Sequence, residues 1–417
     1  MTDTPSRYGP RTMRILVATY YYLPHVGGGT WYFYHVAWRL ARSGHDVRLF
    51  APRIRFRMAN ESLVDPPRPR LSVERLNRVP LPVWCSAFVG LLLFRSRFLR
   101  RARQSDVLLG QFHPHHSVAF AVVVLGKVLG KPVVVRVEDY RRWMFGGGHD
   151  RRSRFEFLLA GPMNSLNEWA ARNASGILLV DSFAAAHFGG NQRLGARLIV
   201  SPNGVDLAAV ERSRDRAALR EELRLPNDAP VIAFVGRYSG AEYRVDLLLD
   251  AFGIVVKSRP DAVLLLVGDS LSPGLRTRFH GLLGAGSVRE LGPVPQNHAL
   301  AVTALADVAV GPLGPTRTTP LKVVEALVQG TPVVVGSQSV GPELTAFGPM
   351  VHVVESDPGA LAESLLALLD SPRPPSSDAL RSRMRDYDWD TIATAVESEL
   401  GRLVTPSRDQ AGVRHHG

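Results

Sequence analysis

Two threonines, a proline, a lysine and a glutamate stand together in Thr318-Thr319-Pro320-Leu321-Lys322-Val323-Val324-Glu325-Ala326-Leu327. Thr319 suits an N-cap and Pro320 the first helical position, where a missing N–H costs nothing. Gly330 and Pro332 stop the predicted helix about three turns on. Such a helix start presents free N–H groups and the positive end of a dipole, which makes a ready anion site. Lys322 falls in the first turn, where its charge opposes the dipole; a bound anion would offset both. Glu325 lies three residues on, hence on the same face. The pair is either a surface salt bridge, worth well under about 1 kcal/mol, or a lysine for a phosphate beside a carboxylate for a ribose diol.

Other chemistry-bearing residues lie earlier. Glu138 and Asp139 end a strand-like run, where catalytic groups sit in α/β sheets, although acids also cap ordinary loops. His113, His115 and His116 follow another such run, Asp106 to Gly110. No carboxylate or cysteine completes a metal shell there, so no metal is expected, and His113 and His115 read as groups lining a cleft. Gly27-Gly28-Gly29 lacks the G-x-G-x-x-G spacing of a nicotinamide site. Gly146-Gly147-Gly148 reads as a loop, with a mobile lid as the alternative. In Val83 to Arg103 an apolar run precedes an arginine-rich helix, with Arg97, Arg100 and Arg101 on one side and Phe98, Leu99 and Ala102 on the other. A packed helix with a solvated basic face explains this; docking on an anionic membrane surface is the rival.

The elements that position these groups follow from apolar periodicity. Arg14 to Thr19 is a buried-strand run, and a helix from Thr30 places Phe33, Val36, Ala37 and Leu40 on one face, with Thr30 as its cap and Gly44 as its stop. Asp46 to Ala51, Asp106 to Leu109, Val133 to Val137 and Gly176 to Val180 continue as strands. The same grammar restarts at Pro230 to Val235, with a helix over Arg244 to Val256 and strands at Ala262 to Val267, Val308 to Val310 and Val333 to Val335. A final amphipathic segment, Leu380 to Leu403, carries Trp389. Strands alternating with helices predict parallel sheets, and ligands bind at the carboxyl ends of such strands.

A chain of 417 residues predicts two domains. Its 45% apolar and 21% charged content is that of a globular protein. No run reaches the roughly 20 apolar residues of a spanning helix, and the polar first twelve residues do not read as a secretion signal. The single cysteine, Cys85, excludes an internal disulfide, and a cytoplasmic location fits. The net charge of +12 comes almost wholly from arginine, the lysines being only Lys127, Lys131, Lys257 and Lys322. It suits an anionic partner, yet no nucleic-acid-binding motif accompanies it, so nucleic acid is not expected.

The segment Pro320 to Val334 resembles the nucleotide-sugar site of family 4 glycosyltransferases, Pro-x-Lys-x-x-Glu-Ala-x-x-x-Gly-x-Pro-Val-Val. Pro202-Asn203-Gly204-Val205-Asp206 is similar to the family's linker, Val235-Gly236-Arg237 to the start of its donor domain, and Tyr387-Asp388-Trp389 to its closing helix. Val267-Gly268-Asp269 and Leu291-Gly292-Pro293-Val294 resemble later strands. The resemblance implies a GT-B fold: two Rossmann-like α/β domains facing each other across a cleft. Residues 13–205 would bind acceptor, 206–380 would bind donor, and 381–405 would form a helix packing back towards the N-terminal domain. Residues 1–12 and 406–417 read as disordered ends.

The resemblance further implies a sugar transfer with retention, from a nucleotide-diphosphate donor to a small-molecule or lipid-linked acceptor, with no cofactor. Peripheral contact with the inner membrane face would then run through 83–103. Glu325 would take the ribose hydroxyls, Arg237 and Lys322 the diphosphate, and the backbone from Thr318 to Leu321, Thr319 included, the β-phosphate or sugar. The loop from Gly292 through Val294 would lie on the base. Gly28 and Gly29 would let backbone approach the phosphates, and His113 or His115 would touch acceptor. Three positions depart from the pattern. Arg317 stands where the first of two glutamates is usual, Tyr243-Arg244 replaces a Lys-Gly, leaving Arg244 as the stand-in cation, and Glu138 aligns with a histidine near the reacting sugar, a place that Glu138 or Asp139 would take. A nucleotide-sugar epimerase and a binding protein without turnover remain the rivals.

Overall fold

The computed structural model describes residues 12–24, 27–52, 66–76, 96–113, 116–138, 151–189, 198–212, 216–226, 228–238, 242–316, 319–371 and 378–405. Its contacts divide the chain into two units, Met1–Asn203 with Trp389–Gly417, and Gly204–Asp388. The sequence reading puts its boundaries at 205 and 380, and the contacts keep residues 381–388 in the second unit.

Unit 1 is built on strands β1 (Arg14–Ala18), β2 (Asp46–Pro52), β3 (Leu71–Leu76), β4 (Val107–Phe112), β5 (Val133–Val137), β6 (Gly176–Leu179) and β7 (Leu198–Val200). They form one parallel sheet in the order β3-β2-β1-β4-β5-β6-β7. Its helices are α1 (Gly28–Arg42), α2 (Ser96–Gln104), α3 (Val118–Leu129), α4 (Arg151–Asn173) and α5 (Ser182–Gly189). The last helix of the chain, α16 (Trp389–Val404), belongs to this unit. One face of the sheet is covered by Phe98, Val122, Ala170 and Phe188, the other by Phe33, Val36 and Leu40 of α1 with Trp389, Ile392, Val396 and Leu400 of α16.

The expected stripe of α1 is buried as read. Its start differs: the helix begins at Gly28, Gly27 stands at the cap with no side-chain hydrogen bond, and Thr30 is buried inside the first turn. As at any helix start, its first amides have no carbonyl of their own helix to meet, and Gly27 has no side chain to cap them.

Unit 2 repeats the scheme with β8 (Val231–Gly236), β9 (Val263–Gly268), β10 (Val288–Gly292), β11 (Val308–Val310), β12 (Val333–Gly336) and β13 (Val351–Val354), all parallel, in the order β10-β9-β8-β11-β12-β13. Its helices are α6 (Leu207–Arg212), α7 (Arg216–Glu222), α8 (Val245–Ser258), α9 (Pro273–Arg278), α10 (His280–Gly284), α11 (Gln296–Leu305), α12 (Leu321–Val328), α13 (Pro342–Thr345), α14 (Pro358–Leu369) and α15 (Asp378–Asp386). The amphipathic run from Leu380 is therefore two helices. They part at Tyr387-Asp388, where the Val205 amide donates to the Tyr387 carbonyl at 2.7 Å.

Both sheets are doubly wound, and in each the strand order reverses once: between β1 and β4, and between β8 and β11. Loops leaving the carboxyl ends on either side of a reversal diverge and leave a crevice. No helix among the described residues is long and apolar enough to cross a membrane.

Candidate functional site

In unit 2 the residues singled out from the sequence gather at the carboxyl edge of the sheet. Arg237 leaves the end of β8 with its side chain 46% exposed, its Nη2 3.6 Å from Glu242 Oε1 and its guanidinium over the Tyr243 ring. Gly292 ends β10 at φ +67, a left-handed turn that favours glycine, and the half-buried Val294 follows. Arg244 also adopts a left-handed conformation, φ +46, at the cap of α8. Its guanidinium is held by Asp246 at 3.1–3.3 Å, so it serves the first turn of its own helix in this structure.

Helix α12 begins one residue later than expected. Pro320 is its cap, extended at φ −69 and ψ 125, and no side chain completes the cap. Proline has no N–H to give and no side-chain oxygen, so Thr319 is displaced one position outward and the first-turn amides keep their polarity. The C-terminal end is as expected: Gly330 turns left-handed at φ +76 and Thr331 N–H closes on the Ala326 carbonyl.

Lys322 and Glu325 meet. The lysine Nζ lies 2.7 Å from Glu325 Oε2, with the lysine side chain 38% exposed and that of the glutamate 3%. Gln296 Nε2, from the first residue of α11, donates to the other carboxylate oxygen at 3.4 Å. A surface ion pair this is not: one partner is buried, and a second element supports it. Gln296 was not legible as a site residue; a polar residue straight after the Gly292–Pro295 turn was the available signal. Thr319 and Leu321 are half-buried beside the helix start, while Arg317 and Thr318 lie outside the described residues.

In unit 1 the candidates gather around the end of β4 and β5. Glu138 follows β5 with its side chain 11% exposed. Its Oε2 sits 1.9 Å from where a Cβ on Gly29 would stand, so only glycine admits this carboxylate against α1. Gly28 lies against Asn203, whose Nδ2 would be 3.0 Å from a Cβ there. Behind Glu138, Arg136 is fully buried: it lies 4.0 Å over the Tyr32 ring, donates to Asn203 Oδ1 and the Val137 carbonyl at 3.3 Å, and brings Nε to 4.0 Å from Glu138 Oε1. A buried guanidinium needs a partner charge, and Glu138 supplies it. Arg136 was missed, although a lone arginine inside Val-Val-Val-Arg-Val was a visible anomaly.

His113 directly follows β4 and stacks on His116 at 5.5 Å, with Tyr21 edge-on at 5.3 Å. Asn167 donates to the carbonyls of His113 and His116, which pins the turn between them. His115, Asp139, the 146–148 glycines and 83–95 lie outside the described residues, and no group of three or more His, Cys, Asp or Glu able to hold a metal occurs among the described ones. In helix α2 Phe98 and Ala102 are buried, and Arg97 and Arg101 lie by Glu74 of β3.

Two family descriptions match the chain in tandem: Glycosyltransferase Family 4 over residues 26–209 and Glycosyl transferases group 1 over residues 229–371. Among curated proteins, the phosphatidyl-myo-inositol mannosyltransferase of Mycobacterium leprae is 29% identical over 214 residues, 49% of this chain and 54% of that one. The GDP-mannose-dependent alpha-(1-6)-phosphatidylinositol dimannoside mannosyltransferase of Mycobacterium tuberculosis is 27% identical over 269 residues, 62% of this chain and 68% of that one. The chain thus spans about half the length of the first of these relatives. Among solved structures, Anabaena HepE in complex with UDP and glucose superposes with a TM-score of 0.64 at 18% identity, covering 93% of this chain and 99% of that one. That likeness carries the fold. With its paired doubly wound sheets and both family descriptions in order, the chain belongs to the family 4 glycosyltransferases of the GT-B fold.

Proposed function

We propose that the chain transfers a hexose from a nucleoside diphosphate sugar to an acceptor hydroxyl with retention at the anomeric carbon, unit 2 binding donor and unit 1 binding acceptor. The buried Glu325 beneath Lys322 at the start of α12 carries the reading. Hiding a carboxylate for stability alone gains little, because desolvation roughly cancels the attraction. A carboxylate that receives ribose hydroxyls, beside a lysine and helix amides that receive phosphate, gives every one of these groups a use. Arg237 joins Lys322 on the diphosphate, the Gly292–Pro295 loop takes the base, and Thr318 to Leu321 the β-phosphate or sugar. Arg317 adds a cation on the sugar side. Arg244 reaches a phosphate only by leaving Asp246.

In the reaction the bond from the anomeric carbon to the β-phosphate oxygen breaks as a bond from the acceptor oxygen forms on the same face. The acceptor proton passes to the departing phosphate. Charge grows on that phosphate, and fixed cations and amides stabilise it without rearranging. The nucleotide sugar is a substrate, and the chain supplies its own cations, so no cofactor is assigned. Glu138 or Asp139 takes the place beside the reacting sugar, and Gly28 and Gly29 bring backbone to the donor. His113 and His115 lie on the acceptor side. The names of the relatives favour mannose as the sugar and an inositol phospholipid as the acceptor, reached with 83–103 against the cytoplasmic face of a membrane.

Calorimetry with GDP and UDP tests the donor site. Lys322→Ala and Glu325→Gln should each weaken the nucleotide that wild type binds by on the order of 10- to 100-fold, the scale of hydrogen bonds to charged groups. Unchanged affinity in both variants overturns the assignment. A sugar isomer formed from donor alone would point to the epimerase instead.

A further inference from the structure

Gln111 is the next-to-last residue of β4, on one side of the strand reversal in unit 1, and Gly28 and Gly29 follow β1 on the other side. It is fully buried. Its Oε1 accepts the backbone amides of Tyr20 at 2.7 Å and Tyr21 at 3.2 Å, with Thr19 Oγ1 at 2.9 Å. A backbone amide can only donate, so these contacts decide which end of the side chain is oxygen. The Nε2 end then faces α1, 3.0 Å from where a Cβ on Gly29 would stand, and has no hydrogen-bond partner. Leaving a buried amide donor unmade costs about 1–3 kcal/mol.

We propose that Gln111 and Glu138 together read one ligand hydroxyl at the start of α1: its oxygen accepts from Gln111 Nε2 and its hydrogen is donated to the Glu138 carboxylate. The proposal rests on the sugar-transfer reading and adds a specificity residue to it. Three charges decide the ligand group. Glu138 repels a phosphate or carboxylate oxygen beside Gly29. The helix start and the Gln111 amide repel an ammonium. Arg136 lies buried behind Glu138, its Nε 4.0 Å from Oε1, and sets a cation on the far side of the carboxylate. A neutral group that both accepts and donates is what remains, and sugars and polyols supply it. Gly28 differs: it lies against the Asn203 amide nitrogen and suits a phosphate oxygen, so the two glycines divide phosphate from sugar. The hydroxyl comes from the donor hexose or from a polyol acceptor.

The test uses the full chain with Gln111→Glu, Glu138→Gln and the pair combined. Gln111→Glu keeps the oxygen that Tyr20 and Tyr21 require and loses the donor. If the hydroxyl is the donor's, Gln111→Glu binds GDP as wild type does and GDP-mannose at least tenfold more weakly. If it is the acceptor's, the KM for phosphatidylinositol in phosphatidylcholine vesicles rises at least tenfold at unchanged donor KM. In either case the combined variant recovers part of the loss, because the hydroxyl can reverse which side it accepts from and donates to. Purely additive losses, or constants within twofold of wild type in Gln111→Glu, mean that a buried water satisfies Nε2 and overturn the proposal. If wild type binds neither GDP nor UDP, the donor reading fails separately. Crystals soaked with mannose and with myo-inositol then decide: a sugar or polyol hydroxyl on Gln111 Nε2 supports the pair, and water alone there sinks it.

Discussion

At Gly29 a single methyl group would land 1.9 Å from Glu138 Oε2 and 2.6 Å from its Cδ. The carboxylate is the end of a side chain and can turn aside, so Gly29→Ala should unfold little, within about 1 kcal/mol of wild type. Turning aside takes it off Arg136 and out of line with Gln111. We expect kcat/KM to fall by on the order of 10- to 100-fold, the scale of a lost interaction with a charged group, and a variant that turns over as wild type would detach Glu138 from the reaction. Legibility at this scale followed chemistry that is local in sequence. Lys322 and Glu325 were readable because a three-residue spacing on a helix fixes their proximity. Gln111 and Arg136 were not, since their meaning depends on which strands flank a reversal and what lies across it. The cap of α12 was misassigned to Thr319 because a threonine before a proline normally takes that role, whereas here the chain turns at the proline itself.

Helix α16 lies along α1 with Trp389 1% exposed, stacked at 4.7 Å on His35. Burial drives the His35 imidazole down to about 3, Arg39 and Arg68 repel its charged form, and Asp390 opposes them only in part. The neutral ring can then accept from Arg39 Nη1 at 2.9 Å. An unfolded histidine titrates near about 6.5, so the unfolded chain takes the proton first, and stability should fall as pH drops from there towards 3, by up to about 1.4 kcal/mol per unit. Above that range the ring is neutral in both states and adds no pH dependence. Arg39 and Arg42 also hold Asp390 below the usual carboxylate range against its burial, so its protonation at lower pH works in the same direction. Urea unfolding followed by tryptophan fluorescence should give a slope between about pH 6 and 4.5 that His35→Phe flattens; an equal slope in that variant would assign the loss to other groups. The interior strands of both sheets were legible from apolar runs. The four strands that such runs left out, β3, β7, β10 and β13, are the four edges. Edge strands are covered on fewer sides: β3 (Leu-Ser-Val-Glu-Arg-Leu) and β10 (Val-Arg-Glu-Leu-Gly) carry charges that break the apolar run, while β7 (Leu-Ile-Val) and β13 (Val-His-Val-Val) are mostly apolar but only three and four residues long.

The chain crosses from unit 1 to unit 2 after Asn203 and returns after Asp388, which makes unit 2 continuous in sequence and leaves unit 1 dependent on its last helix. That organisation was only half legible, because one amphipathic stretch from Leu380 to Leu403 hides a change of unit: Tyr387 is buried with Val205 and Phe347, and Trp389 with Phe33 and Leu40. The consequence can be weighed. Trp389, Ile392, Val396 and Leu400 are all at most 3% exposed, and burying a large apolar side chain is worth about 1.5–3 kcal/mol. Together they rival the about 5–15 kcal/mol by which a whole domain is stable. A chain stopped at Asp388 should therefore lose the cooperative unfolding of unit 1. Lys322, Glu325, Gln296, Arg237 and the Gly292 turn all lie within Gly204–Asp388, so the groups assigned to the nucleotide should survive. The expected result is one remaining calorimetric transition, raised by about 2.7 kcal/mol of stabilisation when nucleotide is present at a hundred times its Kd. If full-length protein responds to nucleotide and the shortened chain retains a transition that does not, the unit 2 groups do not hold the nucleotide by themselves and their assignment is wrong.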